Sequence, residues 1–411
     1  MIGFVGGFSL GGGLGRPRRT GLRSGAGSAR CVIAVDKGTK SDPYSIAVLK
    51  GDGAGPKVAE MTQSVLEALE QYADLYFKFD EVEFGGDGKE LLLPKESVAA
   101  CRASDAVLRA PQGLSREGEN SAHVQLREEF ELFAQLRPVT VYPQLLDLSS
   151  FKNSHVEGVD LMLVREVSGG ALTGEDLKSL NENADFGETR MHYSRDQVER
   201  ISNVALQVAE ARSGNVVNVD KAYALHVSAF WRNALHAHFA KQTEGRNDIT
   251  LSDLFLDDFC REVIFRPKDF DVIVTSNLFG DFIAEILAGL GGPLRVSPST
   301  WISRDGLHVC GPADIYNSTA YPDGKGSPIV NPIAMIRSAC MMLRYALDEP
   351  AASDIIQKSL MKTLEEYVTP DMVPSNGQSV VSAEAFTSNL VSSMEYMYQY
   401  EMVCDPTLCG E

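Results

Sequence analysis

Positive charge is scarce in this chain of 411 residues: 38 Lys and Arg stand against 56 Asp and Glu, a formal charge of −18. Nucleic acid or an anionic membrane surface needs a basic face, so neither is the expected partner. A local basic pocket for a small acid is still allowed. Long apolar runs are missing too, and none approaches the roughly 20 apolar residues that a membrane span requires. Cysteine is sparse and unpatterned, with seven residues at 31, 101, 260, 310, 340, 404 and 409 and no CxxC pair. That argues against a zinc site or a disulfide framework and fits a reducing compartment. Cys404 and Cys409 near the tail are spaced to pair, or to stay as two exposed thiols. No internal repeat occurs. With 44% hydrophobic and 23% charged residues, wholesale disorder is excluded.

Acidic residues are absent from the first 35 positions, which carry Arg16, Arg18, Arg19, Arg23 and Arg30 among many Gly and Ser. The remaining 33 basic and 56 acidic side chains give the body about −23. An Arg- and Ser-containing, acid-free leader without a long apolar core has the composition of an organelle transit peptide. Residues 1–40 are therefore read as a leader, with a plastid as the expected destination. The mitochondrial matrix and a plain disordered tail are the alternatives. Ser28-Ala29-Arg30-Cys31-Val32 looks like a processing region.

The body alternates short apolar runs with helical patterns. Strands are expected at 45–49, 106–108, 161–164, 216–219 and 271–274. Between them lie helices such as Arg195 to Arg212. Another follows Pro56, with Val58, Met61, Val65, Leu66 and Leu69 on one face. The rhythm predicts an α/β fold with a mainly parallel sheet flanked by helices. Gly51-Asp52-Gly53-Ala54-Gly55-Pro56 after the first strand invites a dinucleotide reading, but Pro56 stands where GxGxxG needs its third glycine. A tight strand-to-helix turn explains it equally well.

Three arginines sit in mostly apolar contexts: Arg127, Arg137 and, at the end of a strand, Arg165. A guanidinium there suits a carboxylate bidentately, although each alone is more often a structural ion pair. Asp281 and Glu285 are four apart, so on a helix they share a face and are placed to share a divalent cation, with Asp257 as a third ligand. A solvated acidic face is the competing reading. Lys221 directly follows an apolar strand, where desolvation can lower its pKa and make the amine a base, although a surface lysine at a strand end is the commoner case. Tyr193, in His192-Tyr193-Ser194-Arg195, has no distinction of its own.

In order, these pieces resemble the β-decarboxylating dehydrogenase family of isopropylmalate and isocitrate dehydrogenases. The likeness covers roughly residues 45 to 400. Its most specific blocks are Leu126-Arg127, Leu132 to Val139, Tyr142 to Ser149, Val156 to Leu161 and Val164 to Gly170. Further ones are Val219-Asp220-Lys221-Ala222, Phe270 to Asp281, Asn331-Pro332-Ile333-Ala334 and Met341 to Tyr345. The wording is nearest the isopropylmalate branch. The resemblance implies a two-domain fold distinct from Rossmann enzymes, with 44–132 plus 292–400 as the cofactor-side domain and 133–291 as the dimerisation and metal-side domain. It implies a homodimer with shared active sites, the lysine and one aspartate coming from the partner subunit. Arg127, Arg137 and Arg165, with Asp257, would hold a 2-hydroxy diacid. Asp257, Asp281 and Glu285 would hold Mg²⁺ or Mn²⁺, although the family usually has aspartate at the last position. Lys221 and Tyr193 would be the acid–base pair, and Gly311, Asp314 and Asn331 would lie against NAD. The expected reaction is oxidative decarboxylation of 3-isopropylmalate to 4-methyl-2-oxopentanoate.

Departures cluster on the cofactor side. The family's His-Gly-Ser-Ala-Pro loop is replaced by Leu307-His308-Val309-Cys310-Gly311-Pro312-Ala313-Asp314-Ile315. The alternative alignment, Asn317 to Asp323, supplies no histidine either. Tyr223 stands where the family has asparagine. Just before Arg127, His123 and Val124 replace the leucines of an isopropyl pocket. Oxidation of isocitrate or a related diacid therefore stays open, as does a non-catalytic regulatory paralogue that has lost its cofactor loop.

Overall fold

The computed structural model describes residues 37–85, 93–111, 122–172, 189–291, 296–313 and 330–402, apart from 373, 375 and 376. The leader through residue 36, Asp314, the stretch Asn317 to Asp323, Cys404 and Cys409 lie outside the described residues.

Ten strands form one sheet: β1 (Tyr44–Leu49), β2 (Phe77–Val82), β3 (Ala106–Arg109), β4 (Leu132–Thr140), β5 (Asp160–Glu166), β6 (Asn215–Asp220), β7 (Thr250–Phe255), β8 (Val272–Thr275), β9 (Pro298–Ser303) and β10 (His308–Pro312). Their order is β2-β1-β3-β10-β9-β4-β5-β8-β6-β7. Pairs on both flanks are parallel, and only β10/β9, β9/β4 and β4/β5 run antiparallel. The expected mainly parallel sheet is present, with an antiparallel centre that strand spacing alone did not reveal. The β4/β9 register shifts between Leu132 and Ala134, a β-bulge at the start of β4.

Helices α1 (Gly55–Ala73), α2 (Lys95–Ala103), α3 (Ala122–Glu129), α4 (Asn153–Val156), α5 (Arg195–Glu210), α6 (His226–Gln242), α7 (Leu256–Phe265), α8 (Asn277–Gly291), α9 (Ile333–Met341), α10 (Pro350–Glu366) and α11 (Ala383–Tyr396) flank it. Local chemistry starts the two clearest ones. Pro56 occupies the first turn of α1, whose buried face is Val58, Met61, Val65, Leu66 and Leu69. Ser194 and Gln197 close a reciprocal capping box on α5, a device worth about 1 kcal/mol. None of the described helices is long and apolar enough to cross a membrane.

The glycine turn before α1 is a packing device. Gly51 and Gly53 have φ of 64° and 60°, and a Cβ on Gly51 would collide with the Pro111 carbonyl. The tight-turn account of 51–56 is sufficient.

Two sets of core clusters divide the apolar residues. One joins β1, β3 and β10 to α1, α9, α10 and α11. The other joins β5, β6 and β8 to α5, α6, α7 and α8. Across the second set Arg165 pairs with Thr275, Thr275 with Val219, and Asp220 with Phe255. The carboxyl ends of β5, β8, β6 and β7 are thus level, and the residues just beyond them share one rim. Such a rim is where open α/β sheets bind ligands.

Candidate active site

Arg165 on β5 is buried. Its Nε and Nη2 donate to Asn277 Oδ1 at 3.2 and 2.8 Å, and its Nη1 lies 2.6 Å from Asp281 Oδ1. Arg137 on β4 is equally buried and donates from Nη1 to Glu285 Oε1 at 2.9 Å. Asp281 and Glu285 stand one turn apart on α8, and both face the sheet's arginines. Gly280 makes room for this: a Cβ there would sit 2.7 Å from Arg165 Cγ. Arg127, in the last turn of α3, donates to the Leu172 carbonyl at 3.4 Å and lies 5.8 Å from the Trp301 ring. The three guanidinium groups are electrostatic neighbours. Burial lowers the Arg165 pKa and Arg127 and Arg137 push the same way, while Asp281 holds it up.

Tyr193 turns out to be distinctive. Its ring is buried edge-on against Trp231 at 5.0 Å, and its hydroxyl oxygen accepts the Asn277 backbone N–H at 2.9 Å. A Cβ on Gly169 would lie 2.9 Å from the ring, and one on Gly170 would strike the hydroxyl, so the Gly169-Gly170 turn closes directly over the phenol. Burial, then the charge of Glu166, pushes the phenol pKa up, and the group keeps its proton at neutral pH.

Lys221 follows the commoner strand-end pattern and not that of a desolvated amine with a lowered pKa. Its Nζ lies 2.7 Å from Asp257 Oδ1 and 5.0 Å from the centre of the Tyr223 ring. The hydrogen bond to Asp257 comes first among the causes that raise its pKa to about 12. In return Lys221 holds the Asp257 carboxyl below its ordinary range.

The anticipated ligand set divides accordingly. Asp257 sits with Lys221 beyond β7 and β6, and Asp281 and Glu285 sit with the arginines beyond β5. Among the described residues no group of three or more His, Cys, Asp or Glu is placed to hold a metal. The carboxylate pair on α8 has the hard-oxygen chemistry of Mg²⁺ and Mn²⁺, and Mg²⁺ commonly binds through one or two carboxylates plus water.

On the cofactor side, Gly311 lies inside β10, where a Cβ would strike the Arg109 carbonyl. Asn331 Oδ1 accepts the Ile333 N–H at 2.9 Å, and its Nδ2 donates to Asp371 at 3.0 Å, tying down the start of α9. His308 is buried on β10 with Nδ1 3.0 Å from the Gly306 carbonyl, and burial depresses its pKa to about 4.

The family described as "Isocitrate/isopropylmalate dehydrogenase" matches residues 45–390. This chain belongs to it. The 3-isopropylmalate dehydrogenase of Trichormus variabilis is 36% identical over 366 residues, 86% of this chain and 98% of that one. The 3-isopropylmalate dehydrogenase 1, chloroplastic, of Arabidopsis thaliana is 34% identical over 378 residues, 89% and 90% of the two. Among solved structures, isocitrate dehydrogenase from Methylococcus capsulatus superposes with a TM-score of 0.69 at 25% identity, covering 85% of this chain and 99% of that one.

For an isocitrate/isopropylmalate dehydrogenase, two residues here escaped the sequence reading. Asn277 is the hub: besides Arg165 and Tyr193 it donates from Nδ2 to the Gly169 carbonyl at 2.8 Å. Its only signal was its place directly beyond a strand. Glu166 is fully buried and accepts the Ser168 and Gly169 N–H groups at 3.0 and 2.9 Å, with Arg200 at 3.8 Å. A carboxylate following Arg165 at the end of an apolar strand was the clue.

Proposed function

We propose that the chain catalyses NAD- and divalent-cation-dependent oxidation and decarboxylation of 3-isopropylmalate to 4-methyl-2-oxopentanoate, CO₂ and NADH. The convergence of Arg137 and Arg165 on Asp281 and Glu285 carries this reading, because one rim then offers both carboxylate binders and cation ligands. The names of its 3-isopropylmalate dehydrogenase relatives support the choice of acid. The acid-free leader and the chloroplastic relative support a plastid setting for leucine biosynthesis.

When bound, NAD would supply the hydride acceptor and the cation a Lewis acid for the substrate's oxygen. Arg127, Arg137 and Arg165 grip the two carboxylates and hold the reacting carbon in one orientation. Asp281 and Glu285, with Asp257 of the partner subunit, would be the oxygen donors for the cation. Lys221 of the partner subunit would take the hydroxyl proton once Asp257 leaves it for the cation and the contact that raises its pKa is lost. Tyr193, kept protonated by burial, delivers a proton to the enol carbon after CO₂ leaves. A second copy is favoured by large apolar side chains left exposed: Tyr223 and Leu225 beside Lys221, Phe230 on α6 and Phe282 beside Asp281.

One observation favours a second substrate reading. His123 is buried edge-on against Trp301 at 4.8 Å, and its Nδ1 has no hydrogen-bond partner. A substrate carboxylate within reach of that ring would satisfy the atom, and an isopropyl group would not. Purified protein with Mg²⁺, NAD and 3-isopropylmalate is expected to generate NADH absorbance. Turnover of isocitrate alone selects the second substrate. No turnover of either, with thermal stabilisation by the acid alone, identifies a non-catalytic paralogue.

A further inference from the structure

The two carboxylates on α8 differ sharply from their partners in their access to water. The Asp281 and Glu285 side chains are 54% and 61% exposed, whereas Arg165 and Arg137 are 10% and 9% exposed. An exposed carboxylate returns to solvent at little cost, but a buried guanidinium stripped of its counter-charge is strongly destabilising. The arginines therefore keep an anion at all times, and the identity of that anion is exchangeable. The two pairs are not equivalent. Arg165 retains Asn277 as a second acceptor when Asp281 leaves. Arg137 makes its only side-chain hydrogen bond, among the described residues, to Glu285.

We propose that Glu285 is a stand-in for a substrate carboxylate on Arg137, seated there without a cation and drawn away when one arrives. This rests on the reading that a diacid binds the arginines and a cation binds the α8 carboxylates. Each ligand then removes the obstacle to the other. The cation pulls Glu285 off Arg137 and frees a buried guanidinium for the diacid, while the diacid supplies the anion Arg137 needs and releases Glu285 to the cation. Coupling of this kind is reciprocal, so each ligand tightens the other by the same factor. Reach is what makes residue 285 suitable: from its place on α8 the glutamate meets Arg137 at 2.9 Å, and an aspartate would end one methylene short.

The test is calorimetric titration of the full chain, without NAD, using 3-isopropylmalate and Mn²⁺ as probes. In the wild type, saturating Mn²⁺ is expected to tighten the diacid about tenfold or more, and saturating diacid to tighten Mn²⁺ by the same factor. Glu285→Asp keeps the charge and a cation ligand but withdraws from Arg137. It is expected to bind the diacid about fivefold more tightly in EDTA while Mn²⁺ affinity stays within about threefold. Glu285→Gln keeps the length, loses the charge, and is expected to tighten metal-free diacid while weakening Mn²⁺. Equal wild-type affinity for the diacid in EDTA and in Mn²⁺, or an unchanged metal-free affinity in Glu285→Asp, overturns the stand-in role. If 3-isopropylmalate fails to bind but isocitrate binds with the same coupling, the substrate assignment falls and the stand-in survives. If neither acid binds in any condition, the arginine reading and this proposal fall together.

Discussion

The rim beyond β5 and β8, on the expected metal side, and the region around β10 and α9, on the expected cofactor side, are built differently. Around β5 the charged groups are paired with one another yet reachable: Arg165 with Asp281, Arg137 with Glu285, and farther along Lys221 with Asp257. Around β10 the corresponding residues serve the scaffold. Gly311 exists to let β10 approach Arg109, Asn331 secures α9, and His308 is neutral and enclosed. Ion pairs with one exposed member exchange partners readily, whereas a strand glycine or a helix-capping amide does not. Among the described residues, exchangeable charged groups are thus concentrated on the arginine side, and those around β10 make scaffold contacts.

The strongest challenge to that contrast is Lys221→Met. If Lys221 is the base, kcat with 3-isopropylmalate is expected to fall by about 10²–10⁴-fold with the melting temperature little changed; retained turnover removes Lys221 from the chemistry. Glycine substitutions sharpen the contrast next. Gly280→Ala forces a Cβ against Arg165 and is expected to weaken diacid binding about tenfold or more, read by calorimetry. Gly311→Ala is expected to cost about 1–3 kcal/mol of stability, read by denaturant unfolding, without selectively weakening NAD. A selective loss of NAD affinity would return Gly311 to the cofactor site.

The smallest effect is a pH dependence. The His308 pKa is lowered to about 4 by burial, below its ordinary value of 6.5. Between those values the unfolded chain binds the proton and the folded chain does not. His308 therefore contributes full stability above about pH 6.5 and loses it as the pH falls toward 4, by at most about 3 kcal/mol. The melting temperature is expected to drop between pH 7 and pH 5, and His308→Phe is expected to flatten that slope.

Much of the fold was legible because buried parallel strands read as uninterrupted apolar runs, as at 45–49 and 161–164. The shared face of Asp281 and Glu285 was legible because helical spacing is local. What escaped depends on distant residues. Whether Lys221 is desolvated was not legible, because Asp257, 36 positions later, gave no sign of standing at the end of the neighbouring strand. Gly280 carried no local signal, because the side chain that needs its space is Arg165, from another strand. Asn277 drew no attention because its importance lies in how many partners meet it, not in its type.

The irregularity between Leu132 and Ala134 has a consequence for the whole rim. Side chains along a strand alternate between faces, so Gln135 and Arg137 point one way while Leu136 and Pro138 point the other. The one additional residue sets the phase in which β4 enters the sheet. Beyond it the pairing with β5 runs unbroken from Ala134 to Thr140 and keeps Arg137 toward α8, so the extra residue is what reconciles that register with Leu132 opposite Ser303. A single insertion at the strand's threshold thus lets one strand serve two neighbours that demand different phases.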